Sequence, residues 1–402
     1  MSPNNLPNNL IYLDNNATTK VDEKVVEAML PYFSEEYGNP SSIYDLAHTA
    51  NSAVRRSRET VKEFLGAKDA KEILFTSCGS ESANTAIKGV LELNKAKKHI
   101  ITSKVEHPCV LNLYKELEKH GYKVDYIGVD SSGDLDVQEL TSKVDKDTAL
   151  VSIMYANNET GAIFPVKEVA DIVKDINPET KVFVDAVQAA GKIPINVQET
   201  KIDLLGISAH KFHGPKGIGA LYVKSGTMIA PLIVGGHQER GKRAGTENVP
   251  YIVGMAKAAE LAMENLDDEL CRVKKLRDTL EDGILSKIKN ARLNATAKNR
   301  VPNTTNIGFL YIEGELILLH LNDAGICASS GSACTSGSLE PSHVLRAMGV
   351  PFTSLHGSIR FSLSRYTTEE DINYTVQTLP HIIEKLAKIS PFQKELGEIL
   401  NH

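Results

Sequence analysis

Along residues 22–223 the apolar positions switch repeatedly between two periods. Val21, Val25, Val26, Met29 and Leu30 recur at helical spacing. Short apolar runs rich in β-branched residues follow at 73–75, 99–102, 150–154, 182–184, 204–207 and 220–223, with helical patterns between several of them. Such alternation predicts a mostly parallel sheet with helices on both faces, and so a large α/β domain. A charged amphipathic stretch over 250–289 predicts a connecting helix or helix pair. Beyond it, strand-like runs at 306–311 and 358–363, a Gly/Ser-rich tract at 328–338 and a helical tail predict a second, smaller α/β unit. No internal repeat or long low-complexity linker interrupts the pattern.

Composition narrows the classes. The chain has 402 residues, 42% hydrophobic and 24% charged, with a net charge of -6. That length suits two or three folding units with a core large enough to need no staples. Mild acidity and the lack of any basic stripe give no electrostatic reason for a nucleic-acid or anionic-membrane partner. No apolar run approaches the roughly 20 residues that span a bilayer. The Asn- and Pro-rich start, 1–10, lacks the pattern of a signal peptide. Five cysteines without a CxxC pair fit a reducing compartment, so the expected location is cytoplasmic. Cys78, Cys109, Cys271 and Cys327 read as buried filler or tolerated thiols.

Candidate chemistry lies after the strands, where ligands bind in open α/β sheets. After 73–75 comes Thr76-Ser77-Cys78-Gly79-Ser80-Glu81-Ser82, small residues whose backbone N–H groups open a helix and suit a phosphate. After 99–102 comes Glu106-His107-Pro108, and after 150–154 comes Asn157-Asn158-Glu159-Thr160-Gly161. Asp185 follows 182–184, with Gln188 one turn on, and Ser208-Ala209-His210-Lys211 follows 204–207. Each alone reads as a cap, a turn residue or a surface charge. Together they place an anion cradle, an imidazole, an amide, a carboxylate and a lysine on one rim. Those are the parts of a pyridoxal-phosphate site: a lysine for the Schiff base, donors for the phosphate and a carboxylate for the pyridine nitrogen.

Two other patterns are set aside. Residues 236–242 have Walker spacing, but Arg243 stands where a hydroxyl should hold magnesium, and no strong strand leads in. His210, His213 and His237 match no zinc spacing, and Lys211 between the first two would repel a cation.

At this point the motifs carry a resemblance. Leu13-Asp14-Asn15-Asn16-Ala17-Thr18-Thr19, Phe75–Ser82, Ala156–Gly161, Val184–Gln188, Ser208–Gly217, Arg243–Asn248, Ser329–Pro341 and Ile359–Arg365 resemble, in order, the class V, fold-type I pyridoxal-phosphate enzymes. More narrowly they look like cysteine desulfurases of the NifS/IscS group, on the NifS-like side. The resemblance implies an α/β fold with a mostly parallel seven-stranded sheet in a large domain, 20–262. A smaller α/β domain, 1–19 and 263–402, would carry a mobile loop with Cys334.

It also implies roles. Lys211, not Lys216, is the Schiff-base lysine; His107 stacks on the ring and shuttles protons; Asp185 pairs with the pyridinium; Gln188 reaches the phenolic oxygen. Gly79, Ser80, Ser208 and His210 hold the phosphate, completed in a homodimer by Thr246 reaching into the partner's site. Asn158 and Arg360 bind the substrate carboxylate, which a guanidinium does bidentately. Ser80 stands where many relatives have Thr, which keeps the hydroxyl. The implied reaction turns L-cysteine into L-alanine and leaves a persulfide on Cys334, with Lys211 as general base. The persulfide would pass to an iron–sulfur scaffold protein for cluster assembly, or to other sulfur-requiring pathways. Cys334 would meet metal only as a transient iron–sulfur ligand through that persulfide. Gly331, Gly337 and the surrounding serines deny its loop a hydrophobic anchor, which suits a carrier. The same scaffold also serves aminotransferases and selenocysteine lyases, and the residues leave the sulfur acceptor open.

Overall fold

The structure, a computed structural model, describes residues 10–295, 299–330 and 341–401. Cys334 lies outside the described residues.

Twelve strands are described: β1 Ile11–Tyr12, β2 Ile73–Thr76, β3 His99–Ser103, β4 Lys123–Ile127, β5 Thr148–Met154, β6 Lys181–Asp185, β7 Leu204–Ser208, β8 Gly219–Val223, β9 Ala291–Leu293, β10 Thr304–Phe309, β11 Ile326–Cys327 and β12 Ser358–Ser362. Seven form one sheet in the order β2-β8-β7-β6-β5-β3-β4. Only β8 runs against its neighbours, so the other six point their carboxyl ends to one rim.

The sheet is buried on both faces, which is why its strands read as continuous apolar runs. On β6, Val182 and Val184 enter one cluster and Phe183 the other; on β5, Val151 and Ile153 oppose Leu150. The helix Asp45–Leu65 and the helix Val249–Glu264 cover the first face, while Gly79–Leu93 and Pro108–Lys119 cover the second. Each such Val, Leu or Phe contributes about 1.5–3 kcal/mol by leaving water, so the sheet's position is fixed far more firmly than any polar contact at its rim could manage.

The run at 250–289 resolves into two helices, Val249–Glu264 and Lys274–Lys287, joined through a π-helical turn at Glu269–Val273. A second sheet, β12-β10-β9, is antiparallel, and β1 pairs in parallel with β11. The amino-terminal arm is thus sewn to strands near the other end of the chain. These elements share their own apolar cluster, centred on Ile307, Phe309, Ile359 and Phe361. Val301, Val344, Leu345 and Met348 instead join the large sheet's cluster and fasten the two layers together.

Candidate active site

Five of the parallel strands deliver the polar residues. β2 leads into the helix Gly79–Leu93, whose Cys78 N-cap makes no side-chain capping bond and so leaves first-turn N–H groups available to a ligand. A Cβ on Gly79 would stand 2.8 Å from Val187 Cγ2, so only glycine lets this turn approach the end of β6. β3 leads to His107, whose Nδ1 accepts from Cys109 N at 3.2 Å and caps the helix Pro108–Lys119. With Nδ1 accepting, the neutral ring carries its proton on Nε2. Burial first, then the Lys211 and His343 charges, lower the His107 imidazole to about 4, so it is neutral at physiological pH.

Asp185 ends β6. Its Oδ1 accepts from Val187 N at 3.0 Å, and burial raises its carboxyl to about 6 against the lowering pull of that bond and of Lys211. Ser208 ends β7, and the turn Ala209–Lys211 follows. Lys211 Nζ donates to Asn16 O at 2.5 Å and to Ala17 O at 2.8 Å. The His210 imidazole, lowered to about 4 by burial and then Lys211, pairs with Thr18 Oγ1 at 3.2 Å.

Between these ends lies a cavity of about 250 Å³, lined by Gly79, Ser80, His107, Asn158, Asp185, Gln188, Ser208, His210 and Lys211 among others. A larger hollow of about 660 Å³, between Lys274–Lys287 and Glu369–Ala387, carries no strand-end group and offers no comparable chemistry. Of the sequence-predicted residues that are described, Arg360 and Thr246 are not in the cavity wall. Arg360 lies just behind it on β12: its Nη1 donates to Asn158 O at 3.0 Å and its Nη2 to Asp14 Oδ1 at 2.6 Å. Its Nε is buried without a partner. Thr246 is exposed on the loop that Arg243 ties to Glu81, Nε to Oε1 at 2.9 Å. The Walker-spaced segment is a turn, Gln238–Gly241, whose buried Glu239 is held bidentately by Arg58 at 2.7 and 2.8 Å.

Sequence reasoning assigned no role to Asn16, Lys192 or Glu106. Asn16 O accepts from both Lys211 Nζ and Gln188 Nε2. Lys192 Nζ donates to Gln188 Oε1 at 2.6 Å. The available signal was a lone lysine in an otherwise apolar run, Ala189-Ala190-Gly191-Lys192-Ile193, four residues after Gln188.

The family model for class-V aminotransferases matches residues 11–375. A cysteine desulfurase of Nostoc sp. is 57% identical over 387 residues, 96% of either chain. The chain belongs to the class-V aminotransferases, among the cysteine desulfurases. The cysteine desulfurase NifS of Azotobacter vinelandii is 50% identical over 389 residues, covering 97% of this chain and 96% of its own. A solved structure titled NifS-like protein superposes with a TM-score of 0.89 at 44% identity, over 94% of this chain and 100% of that one.

The cofactor of class-V aminotransferases is pyridoxal phosphate, and the residues present fit it. Ser208 Oγ is buried with no hydrogen-bond partner, beside the helix N-terminus that Gly79 opens. An unpaired buried hydroxyl is costly unless a ligand satisfies it. Asp185, whose carboxyl burial raises, matches a ring nitrogen that brings a proton.

Proposed function

We propose that this chain is a pyridoxal-phosphate-dependent cysteine desulfurase that removes sulfur from L-cysteine, releases L-alanine and keeps the sulfur as a persulfide on Cys334. The observation that carries the reading is the lysine, the carboxylate and the unsatisfied Ser208 hydroxyl sharing one cavity. When bound, the cofactor supplies an aldehyde for amine capture and a protonated ring that draws electrons from the substrate's α-carbon.

The chain's own residues do the rest. Gly79, Ser80, Ser208 and His210 would hold the phosphate, with Thr246 of each protomer completing its partner's site in a homodimer. Asp185 would keep the ring nitrogen protonated, and Gln188 would donate to the phenolic oxygen. Arg360 and Asn158 hold the substrate carboxylate, which displaces Asp14 from the guanidinium. Lys211 would anchor the cofactor and take the substrate's α-proton as general base. Neutral His107 would stack on the ring and relay protons. The Cys334 thiolate attacks the substrate sulfur; the Cβ–S bond breaks with its electron pair going to Cβ, which then takes a proton. Alanine leaves, and Cys334 holds the sulfur.

An iron–sulfur scaffold protein is the acceptor we favour, with iron meeting Cys334 only transiently through the persulfide. A thiol carrier needs a reducing compartment, which supports a cytoplasmic location. Among the described residues no helix is long and apolar enough to cross a membrane. We also propose that 20–262 forms the cofactor-holding domain, while 1–19 and 263–402 form the domain that carries Cys334.

The test is spectral and chemical. The purified protein is expected to be yellow and to bleach with borohydride, and Lys211→Ala to lose that absorbance. Cys334→Ala should cut alanine release from cysteine by about 100-fold or more while leaving the chromophore intact. Full-rate alanine release by Cys334→Ala would remove Cys334 as the nucleophile.

A further inference from the structure

Behind the cavity wall lies a buried lysine that no step above uses. Lys192, buried, follows Gln188 by four residues in the turns after β6, where Ala190 N donates to Ala186 O at 2.9 Å and Ile193 N to Ala189 O at 3.1 Å. Between them Gly191 adopts φ 75°, and a Cβ there would meet Phe212 Cβ at 2.7 Å, so the turn is pressed against the segment that follows Lys211. Lys192 Nζ donates to Gln188 Oε1 at 2.6 Å and to Asn16 Oδ1 at 3.3 Å. Gln188 Nε2 donates to Asn16 O at 2.9 Å, the same carbonyl that accepts Lys211 Nζ.

A carboxamide has one accepting end and one donating end, whereas an ammonium only donates. In its ammonium form Lys192 can therefore engage only the Oε1 end of Gln188. A flipped Gln188 would set its NH₂ against the ammonium and its Oε1 against Asn16 O, losing both of its bonds in a buried setting.

We propose that Lys192 is a positioning residue that locks the carboxamide of Gln188 with Nε2 toward Lys211, so that Gln188 presents a donor to the cofactor's phenolic oxygen. The inference rests on the cofactor reading above. Lys192 also places a cation behind the site. Lys211 and Arg360 repel it and Glu269 attracts it, while burial is the largest influence and lowers its ammonium to about 7. His210 and His213 feel its charge in turn. A donor on the phenolic oxygen and a cation nearby act in one direction: both disfavour protonation of the nitrogen that joins Lys211 to the cofactor.

The visible absorbance of the holoprotein, titrated against pH, tests this. Lys192→Met is expected to raise the spectral midpoint by about one pH unit and to weaken cofactor retention in dialysis by about five-fold. In a Gln188→Ala background the shift caused by Lys192→Met should shrink to about half or less, because the two residues act as a unit. Should Lys192→Met not fold, Lys192→Gln carries the same test with the same sign. An unmoved midpoint overturns the inference. An equal shift with and without Gln188 also overturns it, since Lys192 would then act by charge alone. A wild-type protein with no bleachable chromophore sinks the cofactor reading and this inference with it, whereas a normal chromophore with an unmoved midpoint sinks this inference alone.

Discussion

Glu106 shows how burial tunes single residues around the site. It sits next to His107, with Oε1 accepting from Ser103 Oγ at 2.6 Å and from Met154 N at 2.9 Å, while Oε2 has no partner. Burial, with Asp185 adding to it, raises the carboxyl from 4.5 to about 8. The folded state therefore keeps a proton that the unfolded chain gives up above 4.5. Stability from this group is full below 4.5 and is lost as pH rises through about 8. Glu106→Gln removes the dependence. Relative to wild type, the variant should gain up to about 1.4 kcal/mol per pH unit across that window and level off beyond it. Urea denaturation at pH about 5, 7 and 9 reads this directly; a difference that stays constant with pH would contradict it. Sequence could not reveal this residue's state, because a wholly buried Glu and a solvated one are the same letter. The same holds for Lys192, whereas Asp185, Gln188 and Lys211 were legible because a strand end gives a polar residue an address.

At the scale of elements, the strands that were legible are those buried on both faces, since continuous Val/Ile/Leu runs leave little room for another reading. β4 has no counterpart among the predicted runs. It is the sheet's edge, with Lys123 exposed and Val124, Asp125 and Tyr126 half-buried, so its apolar signal is diluted by the charges that guard an edge from further pairing. The rim's geometry depends on how closely two elements approach, as at Gly79 and Val187. Gly79→Ala pushes a methyl into Val187 Cγ2, a short, stiff side chain that cannot swing away. The helix N-terminus must then retreat from the β6 turn. We expect cofactor affinity to fall about ten-fold, equivalent to about 1.4 kcal/mol, with the helix itself intact. Titrating stripped protein with pyridoxal phosphate measures it, and unchanged affinity would mean the cradle tolerates the displacement.

Across the whole molecule, the arm carrying β1 joins layers that the hydrophobic pattern describes only separately. Its pairing with β11 was not legible, because a two-residue strand carries almost no periodic signal and its partner lies near the far end of the chain. Asn16 is where the layers meet. Its Nδ2 donates to Asn158 O at 3.1 Å on the large sheet's rim and to Thr304 Oγ1 at 2.8 Å on β10. Its Oδ1 accepts from Asn303 Nδ2 at 3.1 Å and Lys192 Nζ at 3.3 Å, and its backbone N donates to Ser362 Oγ on β12 at 2.9 Å. Asn16→Ala keeps the backbone bonds but removes the side-chain ones. Asn303 retains Leu363 O and Lys192 retains Gln188 Oε1, so neither is left bare, yet each loses an acceptor in a buried setting. The expected loss is about 2–4 kcal/mol, a little more than one bond's worth for each layer released. The denaturant midpoint should drop accordingly, and the spectral midpoint should move as well, because Lys192 loses the Oδ1 that helps hold its ammonium behind Gln188. A variant that loses stability but keeps its spectrum would make Asn16 a fastener between layers and nothing more; one that keeps both would show that apolar packing alone seats the small sheet on the large one.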